Sequence, residues 1–352
     1  MKHYIYQCLC AAVALLLLWS CHTDEPEVIK SRSERTILAI DLHGNIYDIN
    51  GTLIKTLPDC RTVTQIIVEG EDYFVSGVNV KDKVGYWKNG KWNTLHVDFI
   101  DDVDHWTFGI AKWDYNIYLL DYPNVLRNSG IFRLKDSENF TPSRHGISVS
   151  EGKCYVVGQE DIRVGQFDYI NKPVIYTERK GAYEKTYLPM PSGYEQGQCM
   201  AIYAYDRTHF VAGGNVAGVA TIWEDYDVYT LPRFFDFDVE VDVTGHRMIS
   251  TVLSVGKDNG HIYAAGTEYD QNHLPVCILW VDGVPQRLIT ENEKPLISSV
   301  NDLTFYGGDV YVLTQESPRS VATNEYEVTS VIWMNGEPIA RFQGEMASIA
   351  VY

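Results

Sequence analysis

The stretch IYAAGTEYDQNHLPVCILWVDGVPQRL, residues 262–288, decides the fold. It holds two short apolar runs, one ending at Gly266 and the other at Trp280, with the β-branched and aromatic residues that favour strands. The second run leads directly into Asp282-Gly283. Asp-Gly suits the tight turns of β-hairpins, because both central residues of such a turn take a positive φ. The stretch therefore predicts two strands and a hairpin into a short third strand.

The same unit recurs along the chain. Its first strand returns at Tyr73–Gly77, Ile117–Asp121, Cys154–Gly158, His209–Gly213 and Val310–Thr314. Its second strand is marked by aromatic residues at Tyr47, Trp87, Phe132, Tyr176, Trp223, Trp280 and Trp333. These residues are roughly 40–57 positions apart, a period typical of the four-stranded blades of β-propellers. We interpret them as core between neighbouring sheets rather than as ligand contacts.

The two ends of the sequence complete the pattern. Residues 36–57 contain three strand-like runs without a preceding inner strand, whereas residues 346–352 (MASIAVY) form a single run after the last full unit. A propeller must close its ring or leave two open sheet edges. We therefore predict an all-β fold, a β-propeller of seven four-stranded blades closed by pairing of the C-terminal strand with the first blade. Six or eight blades would follow if the irregular unit at 106–140 is miscounted.

The N-terminal residues predict a targeting segment. A short region with Lys2 precedes an apolar run that ends at Leu18, which is the pattern of a secretory signal. The run is too short to span a membrane as a helix. Residues 22–35 are polar and contain a proline, so they predict a flexible tether. The expected organisation is a signal peptide at 1–20, a tether at 21–35 and a single β-propeller domain at 36–352.

The run Leu18-Trp19-Ser20-Cys21 resembles the lipobox of bacterial lipoproteins. Together with the repeated Trp-x-Asn/Asp-Gly units, it makes the chain similar to bacterial envelope lipoproteins of the β-propeller type. The resemblance implies lipidation of Cys21 and a place in the outer membrane, on its periplasmic side or at the cell surface, with membrane contact through the lipid anchor only. An ordinary cleaved signal stays the alternative. The motifs are architectural and imply little about function.

Charge and cysteine usage narrow the possible partners. The formal net charge is −18, which argues against nucleic acid, because binding to phosphates depends on Lys and Arg. Four cysteines lie in the predicted domain, most of them within apolar strand-like runs: Cys60, Cys154, Cys199 and Cys277. We expect buried free thiols. A disulfide between distant strands is the alternative in an oxidising compartment.

The predicted blades differ at their two ends. Counting strands A to D from the centre outward, the A–B and C–D turns are short and lie at one face. The B–C loops and the links between blades lie at the opposite face and are long, and function is often carried on such loops. We therefore predict the binding site there. The candidate residues are Tyr122, Arg127, Glu160, Arg163, Tyr169, Glu268, Tyr269, His273, Glu316, Arg319 and Tyr326.

Metal binding and catalysis find weak support in the sequence. Asp236, Asp238, Glu240 and Asp242 alternate along one predicted strand and could offer oxygen ligands to Ca²⁺. Side chains on one face of an extended strand diverge, however, so we interpret them as a solvated face and expect no cofactor. Three histidines that precede inner strands could bind zinc, although their offsets to those strands differ: His105, His145 and His246.

The composition of the candidate face suits binding. Aromatic planes beside carboxylates, amides and guanidinium groups fit sugars, and Tyr and Arg also dominate the binding energy at protein interfaces. We predict a binding or scaffold protein for a glycan or a protein partner. The alternative is a carbohydrate-active hydrolase or lyase, which would need two carboxylates about 5–10 Å apart in a central pocket. Solvated loops without any partner are the third possibility.

Overall fold

The computed structural model describes residues 35–95, 107–128, 130–165, 168–236, 248–289, 296–318 and 328–352. Within those ranges the chain forms no helix that is long and apolar enough to cross a membrane. The strands are β1 (Ile37–Asp41), β2 (Asn45–Asp48), β3 (Leu53–Thr56), β4 (Cys60–Glu69), β5 (Asp72–Asn79), β6 (Val84–Lys88), β7 (Lys91–Thr94), β8 (Thr107–Trp113), β9 (Asn116–Asp121), β10 (Asn124–Arg127), β11 (Gly130–Arg133), β12 (Phe140–Ser150), β13 (Lys153–Arg163), β14 (Tyr169–Arg179), β15 (Ala182–Tyr187), β16 (Gly197–Ala204), β17 (Phe210–Val216), β18 (Val219–Glu224), β19 (Asp227–Thr230), β20 (Ser250–Asp258), β21 (His261–Tyr269), β22 (Pro275–Val281), β23 (Val284–Arg287), β24 (Leu296–Tyr306), β25 (Asp309–Pro318), β26 (Thr329–Met334), β27 (Glu337–Gln343) and β28 (Met346–Val351).

The arrangement is all-β and propeller-like, as predicted. The described strands form five four-stranded sheets, β28-β1-β2-β3, β4-β5-β6-β7, β8-β9-β10-β11, β20-β21-β22-β23 and β24-β25-β26-β27, and one eight-stranded sheet, β15-β14-β13-β12-β16-β17-β18-β19. One strand of each four contacts its counterpart in the next set, in the cyclic order β28, β4, β8, β12, β16, β20, β24 and back to β28. These inner strands therefore form a closed ring around a central axis.

Antiparallel pairing separates the connections into two ends of the ring. The turns that follow the inner strands lie at one end, which we call the A–B turn end, together with the turns between the third and fourth strands. The turns between the second and third strands and the links between sheets lie at the other end, which we call the B–C loop end. Candidate sites can therefore be assigned to an end from their place in the strands.

The C-terminal strand closes the ring, as predicted. β28 pairs antiparallel with β1, from Ile37 opposite Val351 to Asp41 opposite Met346. Beyond the strands, the Thr36 N–H donates to the carbonyl of Tyr352 at 2.8 Å, and the Tyr352 N–H donates back at 3.0 Å. The first and last described segments thus share one sheet.

The eight-stranded sheet is held together at one point. Its two sets of four strands are joined by a single parallel pair, His145 of β12 opposite Ala201 of β16. The cause is an unusually large β-bulge in β12, where residues 143–146 lie opposite Val157 alone. The extra residues push the strand sideways toward β16, which agrees with the tendency of bulges to bend a strand.

The repeated aromatic residues are core, as predicted. Trp87, Trp223 and Trp280 are at most 1% exposed. Each indole N–H donates to the carbonyl of a proline in the link that precedes its own set of four strands: to Pro58 at 3.0 Å, Pro189 at 2.6 Å and Pro232 at 2.8 Å, respectively. Each ring therefore packs between sheets while its one polar group is satisfied, as buried Trp requires.

One aromatic residue departs from the predicted alignment. Phe132 lies in β11, the outermost strand of its sheet, and not in a third strand like Trp87 or Trp280. The third strand of this sheet, β10, has only four residues and places Val125 and Leu126 in the core instead. The spacing of the aromatic residues concealed this difference because β10 and β11 are both short.

All four cysteines of the folded region are free thiols. Cys154, Cys199 and Cys277 are buried and Cys60 is partly exposed. Burial raises the pKa of the Cys154 and Cys277 thiols to about 12, so both stay protonated at neutral pH. They therefore behave as small apolar residues of the core.

Candidate functional site

The inner strands carry a β-bulge at one common level of the ring. The extra residue lies between Val63 and Gln65 in β4, between Thr107 and Gly109 in β8, between Cys199 and Ala201 in β16, between Val252 and Ser254 in β20, between Val300 and Asp302 in β24, and between Met346 and Ser348 in β28. β12 has its larger bulge of residues 143–146 at the corresponding place. A bulge turns side chains out of the regular alternation, so polar groups reach the central channel here.

Arg144 crosses the channel from the bulge of β12. Its Nη2 donates to the carbonyl of Ala347 in β28 at 2.7 Å and to that of Thr64 in β4 at 3.3 Å. The inner strands of three different sheets are therefore joined by one guanidinium group. Burial lowers the pKa of Arg144, and the negative charges of Asp302 and Glu345 oppose that shift.

Asp302 is the carboxylate of the same polar centre. It is 3% exposed and accepts hydrogen bonds from the Ile349 N–H at 3.1 Å, from the Leu303 N–H at 2.8 Å and from the Ser348 hydroxyl. Two of these donors belong to β28. Asp302 therefore links β24 to the closing strand and provides a counter-charge for Arg144.

A cavity of about 450 Å³ extends from the bulges toward the A–B turn end. Six inner strands contribute apolar side chains to its wall, which are Ile67, Ile110, Val149, Ile202, Tyr203, Val255, Leu303 and Phe305. Polar groups of Gln65, His145, Ser148, Ser254, Asp302 and Thr304 also line it, so the wall is mixed in character. Glu69 and Lys112 form an ion pair near the ends of β4 and β8 and lie at the rim of the cavity. Cavities of this size are typical of small-molecule sites.

Two polar groups of the cavity are held in place without using all of their hydrogen-bonding capacity. The Gln65 amide oxygen accepts from the Ile110 N–H at 3.1 Å, and its amide nitrogen has no hydrogen bond to a described residue. His145 Nε2 lies 2.6 Å from the Asn301 carbonyl, while Nδ1 lies 3.9 Å from Asp302 Oδ1. The second distance is too long for a hydrogen bond, so the Nδ1 edge of the ring can serve a ligand.

The buried position of His145 predicts a pH-dependent stability. Burial lowers its pKa and Arg144 adds to this shift, while the charge of Asp302 opposes it. Below the unfolded-state pKa of about 6.5, the unfolded chain gains a proton that the folded chain resists. The contribution of His145 to stability is therefore fully present above that pH and is lost as the pH falls toward the folded-state pKa.

The corresponding measurement is urea unfolding of the wild type and of His145→Gln from pH 7.5 to 5. The wild type should lose up to about 1.4 kcal/mol of unfolding free energy per pH unit below pH 6.5 in excess of the variant. Exposed His273→Gln is the matched control and should follow the wild type. Parallel curves for the wild type and His145→Gln would show that His145 does not titrate in this way.

The predicted candidate residues lie mostly where the sequence placed them, at the B–C loop end. Glu160 accepts from Lys185 at 2.8 Å and from the Tyr187 hydroxyl. Glu268 is fully buried and accepts from Arg233 and from the N–H groups of Phe234 and Phe235, at 2.8–3.2 Å. These carboxylates thus stabilise neighbouring strands and links, and the binding role of this end stays a prediction.

The other candidates are spread around the same end. Arg163 and Tyr169 lie at the tip of the β13–β14 hairpin, Tyr122 follows β9, Tyr269 ends β21, His273 lies in the β21–β22 turn, and Glu316 is near the end of β25. Arg319 and Tyr326 lie outside the described residues.

Arg127 is a correction. The sequence placed it in a loop with Tyr122, but residues 124–127 form β10, and Arg127 pairs with Tyr118 near the A–B turn end. Its guanidinium group lies 2.9 Å from Glu178. Pro123 and Asn124 are residue types that favour loops, so the sequence pattern does not reveal the short strand β10.

The metal hypotheses fall mostly outside the structure. Asp238, Glu240, Asp242, His105 and His246 lie outside the described residues. Within the ranges that the structure describes, no group of three or more His, Cys, Asp or Glu side chains could hold a metal ion. His145 is described, and it contacts the carbonyl of Asn301 within the channel.

The sequence reasoning missed the central cavity, which lies toward the opposite end from the predicted site. A signal was present in β12, where Arg144 and His145 interrupt a strand motif that is otherwise apolar and hydroxyl-bearing. Two consecutive ionisable residues within an innermost strand indicate a polar group in the channel. Their partners could not be predicted, because they come from strands that are 80, 156 and 203 residues away.

Comparisons with known proteins place this chain far from any of them. No family model and no curated protein matches it. Among solved structures, a xylan β-1,4-xylosidase from Bacillus halodurans is 13% identical with a TM-score of 0.37, and the match covers 79% of this chain and 55% of the xylosidase. This chain thus spans little more than half the length of that enzyme.

Two further structures match over most of both chains. Apo AztD from Citrobacter koseri is 8% identical with a TM-score of 0.47, covering 90% of this chain and 97% of AztD. A subtype N11 neuraminidase-like protein of A/flat-faced bat/Peru/033/2010 (H18N11) is 11% identical with a TM-score of 0.40, covering 85% of this chain and 98% of that protein. We draw no conclusion about function from similarities this distant.

Proposed function

We propose that this chain is a seven-bladed β-propeller that binds a ligand in its central cavity. The eight-stranded sheet is then two blades joined at the His145–Ala201 pair. The ring of inner strands supports this count, because β12 and β16 each contact their neighbours as the other inner strands do. The strand order within each half also repeats that of the four-stranded sheets.

The cavity itself carries the functional proposal. The apolar side chains of its wall can contact the body of a small amphipathic molecule, and burying apolar surface favours binding. At the floor, the Gln65 amide nitrogen and the His145 Nδ1 edge are positioned for a polar head. A hydroxyl group fits them best. His145 donates through Nε2 to the Asn301 carbonyl, so Nδ1 of the neutral ring accepts and a ligand hydroxyl can donate to it. The Gln65 amide nitrogen can donate to a ligand oxygen.

The arrangement favours binding over the alternative of a carbohydrate-active hydrolase or lyase. Asp302 is occupied by three donors, so it is poorly placed to act as an acid or base. The other carboxylate of the cavity, Glu69, lies at the rim in an ion pair with Lys112. Among the described residues, the cavity thus lacks two free carboxylates facing each other across its floor.

The cellular setting is part of the proposal. We propose that Cys21 is lipidated and that the propeller is held at the bacterial outer membrane, on its periplasmic side or at the cell surface. The support is the run Leu18-Trp19-Ser20-Cys21, which lies outside the described residues. A Cys21→Ala variant should leave the membrane fraction.

The B–C loop end is a second candidate, for a glycan or a protein partner. The supporting observation is the tip of the β13–β14 hairpin, where Val164 is 57% and Tyr169 is 55% exposed. Exposed apolar side chains on a projecting hairpin are typical of contact surfaces. Partner capture that depends on Tyr169 and not on the cavity would favour this candidate.

A neutral apolar dye tests the cavity directly. N-phenyl-1-naphthylamine should bind with a stoichiometry of one and gain fluorescence. Thr304→Trp, which fills the cavity from β24, should weaken binding at least tenfold. Thr186→Trp, on exposed β15, is the control and should bind as the wild type does. Equal binding by both variants, or no saturable binding by the wild type, would contradict the proposal.

A further inference from the structure

A second depression, separate from the central cavity, lies at the A–B turn end of the eight-stranded sheet. Its volume is about 650 Å³, and we call it the basic cleft. It is formed where three turns meet, and its lining includes Lys153, Arg179–Gly181, Arg207 and Thr208. No described residue lines both the cleft and the central cavity.

The cleft holds positive charge that the protein does not neutralise. The two carboxylates that line it are engaged: Glu178 with Arg127 at 2.9 Å and Glu184 with Arg179 at 3.2 Å. Among the described residues, no carboxylate lies within 4.0 Å of the charged atoms of Lys153, Lys180 or Arg207. Acidic residues outnumber basic ones by 47 to 29 in this chain. The cluster of three cations in this cleft therefore contrasts with the acidic composition of the whole chain.

The cations are close enough to affect one another. Burial lowers the pKa of Lys153, and the positive charges of Arg179 and Arg207 lower it further. The ammonium group also lies 4.9 Å from the centre of the Tyr155 ring, which limits its freedom to move away. Like charges held together in this way favour a bound anion.

Lys180 departs from the repeat of the fold. It lies in the β14–β15 turn with φ of 51°, a conformation that Lys rarely adopts. The matching positions of other sheets are occupied by Asn89, Asp225, Asp282 and Asn335, each with positive φ. There the side-chain oxygen accepts a hydrogen bond from the backbone N–H that starts the second strand, at 2.9–3.0 Å. At Lys180 this turn carries a cation instead.

An exposed aromatic plane lies beside the cations. Trp113, at the end of β8, is 40% exposed. A Cβ atom added to Gly152, which lines the cleft, would lie 3.7 Å from the indole Cδ1. An indole beside a cleft that holds cations suits an acidic sugar, whose ring stacks on an aromatic plane while its anionic groups pair with Lys and Arg.

We propose that the basic cleft binds an acidic oligosaccharide, with its sulfate or carboxylate groups on Lys153, Lys180 and Arg207 and one sugar ring on Trp113. The cleft has room for more than a single anionic group. The site is independent of the central cavity, so either proposal can fail without the other.

The test is calorimetric titration of the full chain in detergent with a heparin-derived tetrasaccharide. Binding is expected to weaken at least tenfold in Lys180→Asn, because this substitution removes a charged hydrogen-bond donor to the ligand. It should weaken about fivefold or more in Trp113→Ala, which removes the ring on which a sugar would stack. Lys180→Asn restores the residue type of the other turns, so folding should be preserved. Lys91→Gln, an exposed lysine after another turn at the same end, should bind as the wild type does, and so should Thr304→Trp.

Several outcomes would overturn the proposal. No binding of the tetrasaccharide, or equal binding by Lys180→Asn, would exclude the cleft as the site. Sodium sulfate binding as tightly as the tetrasaccharide, or unchanged binding by Trp113→Ala, would reduce it to a simple anion site. Equal competition by vesicles of anionic phospholipid would assign the cations to a lipid surface.

Discussion

Deletion of residues 346–352 will abolish cooperative folding of the domain. The deletion removes β28, whose buried side chains include Met346, Ile349 and Val351. Burial of each stabilises the fold by about 1.5–3 kcal/mol, and together this approaches the whole stability of a typical domain, about 5–15 kcal/mol. Asp302 and Arg144 also lose their partners on this strand. The inner edge of β1 is then unpaired.

Circular dichroism during heating is the measurement. The wild type should show one sharp transition, and the shortened chain should show none or should aggregate. Deletion of residues 22–34 is the control and should leave the transition unchanged, since the compact unit begins at Thr36. A shortened chain that unfolds at the wild-type temperature would show that the closing strand is dispensable.

Asp302→Ala is the point substitution with the largest expected effect. It should lower the free energy of unfolding by about 2–5 kcal/mol, because two buried donors of β28 lose their acceptor, at about 1–3 kcal/mol for each unsatisfied group. The physical reason is twofold. Arg144 loses the nearby negative charge of Asp302, and the Ile349 N–H and the Ser348 hydroxyl lose their acceptor in the core.

Urea unfolding at pH 7.5 measures this effect. Asp302→Asn keeps one acceptor oxygen but not the charge, so it should fall between the wild type and Asp302→Ala. The exposed Asp227→Ala should change the unfolding free energy by less than about 0.5 kcal/mol. A loss below about 1 kcal/mol for Asp302→Ala would show that the polar centre contributes little to closure.

Much of the fold could be predicted because local patterns and closure act together. Trp280 followed by Asp282-Gly283 defined the hairpin unit, and the buried indole shows why that spacing recurs. The pairing of β28 with β1 followed from the need to satisfy two sheet edges, without any local signal that joins Ile37 to Val351. Repetition thus carried information that no single stretch contained.

The position of the cavity could not be predicted in the same way. Loop length in the sequence favours the B–C loop end as the functional face. The cavity is instead shaped by β-bulges, which add single residues to strands and leave almost no mark on an apolar pattern. Only the larger bulge around Arg144 and His145 disturbs the sequence visibly.

Closure by the last strand also constrains when the molecule can fold. A polypeptide is made from its N-terminus, so β1 exists long before β28, its neighbour at the inner edge. Until then, the growing chain presents an exposed strand to which other chains could add. Contacts so distant in sequence form slowly. A chaperone that shields the edge of β1 during synthesis would therefore protect this protein until β28 has been made.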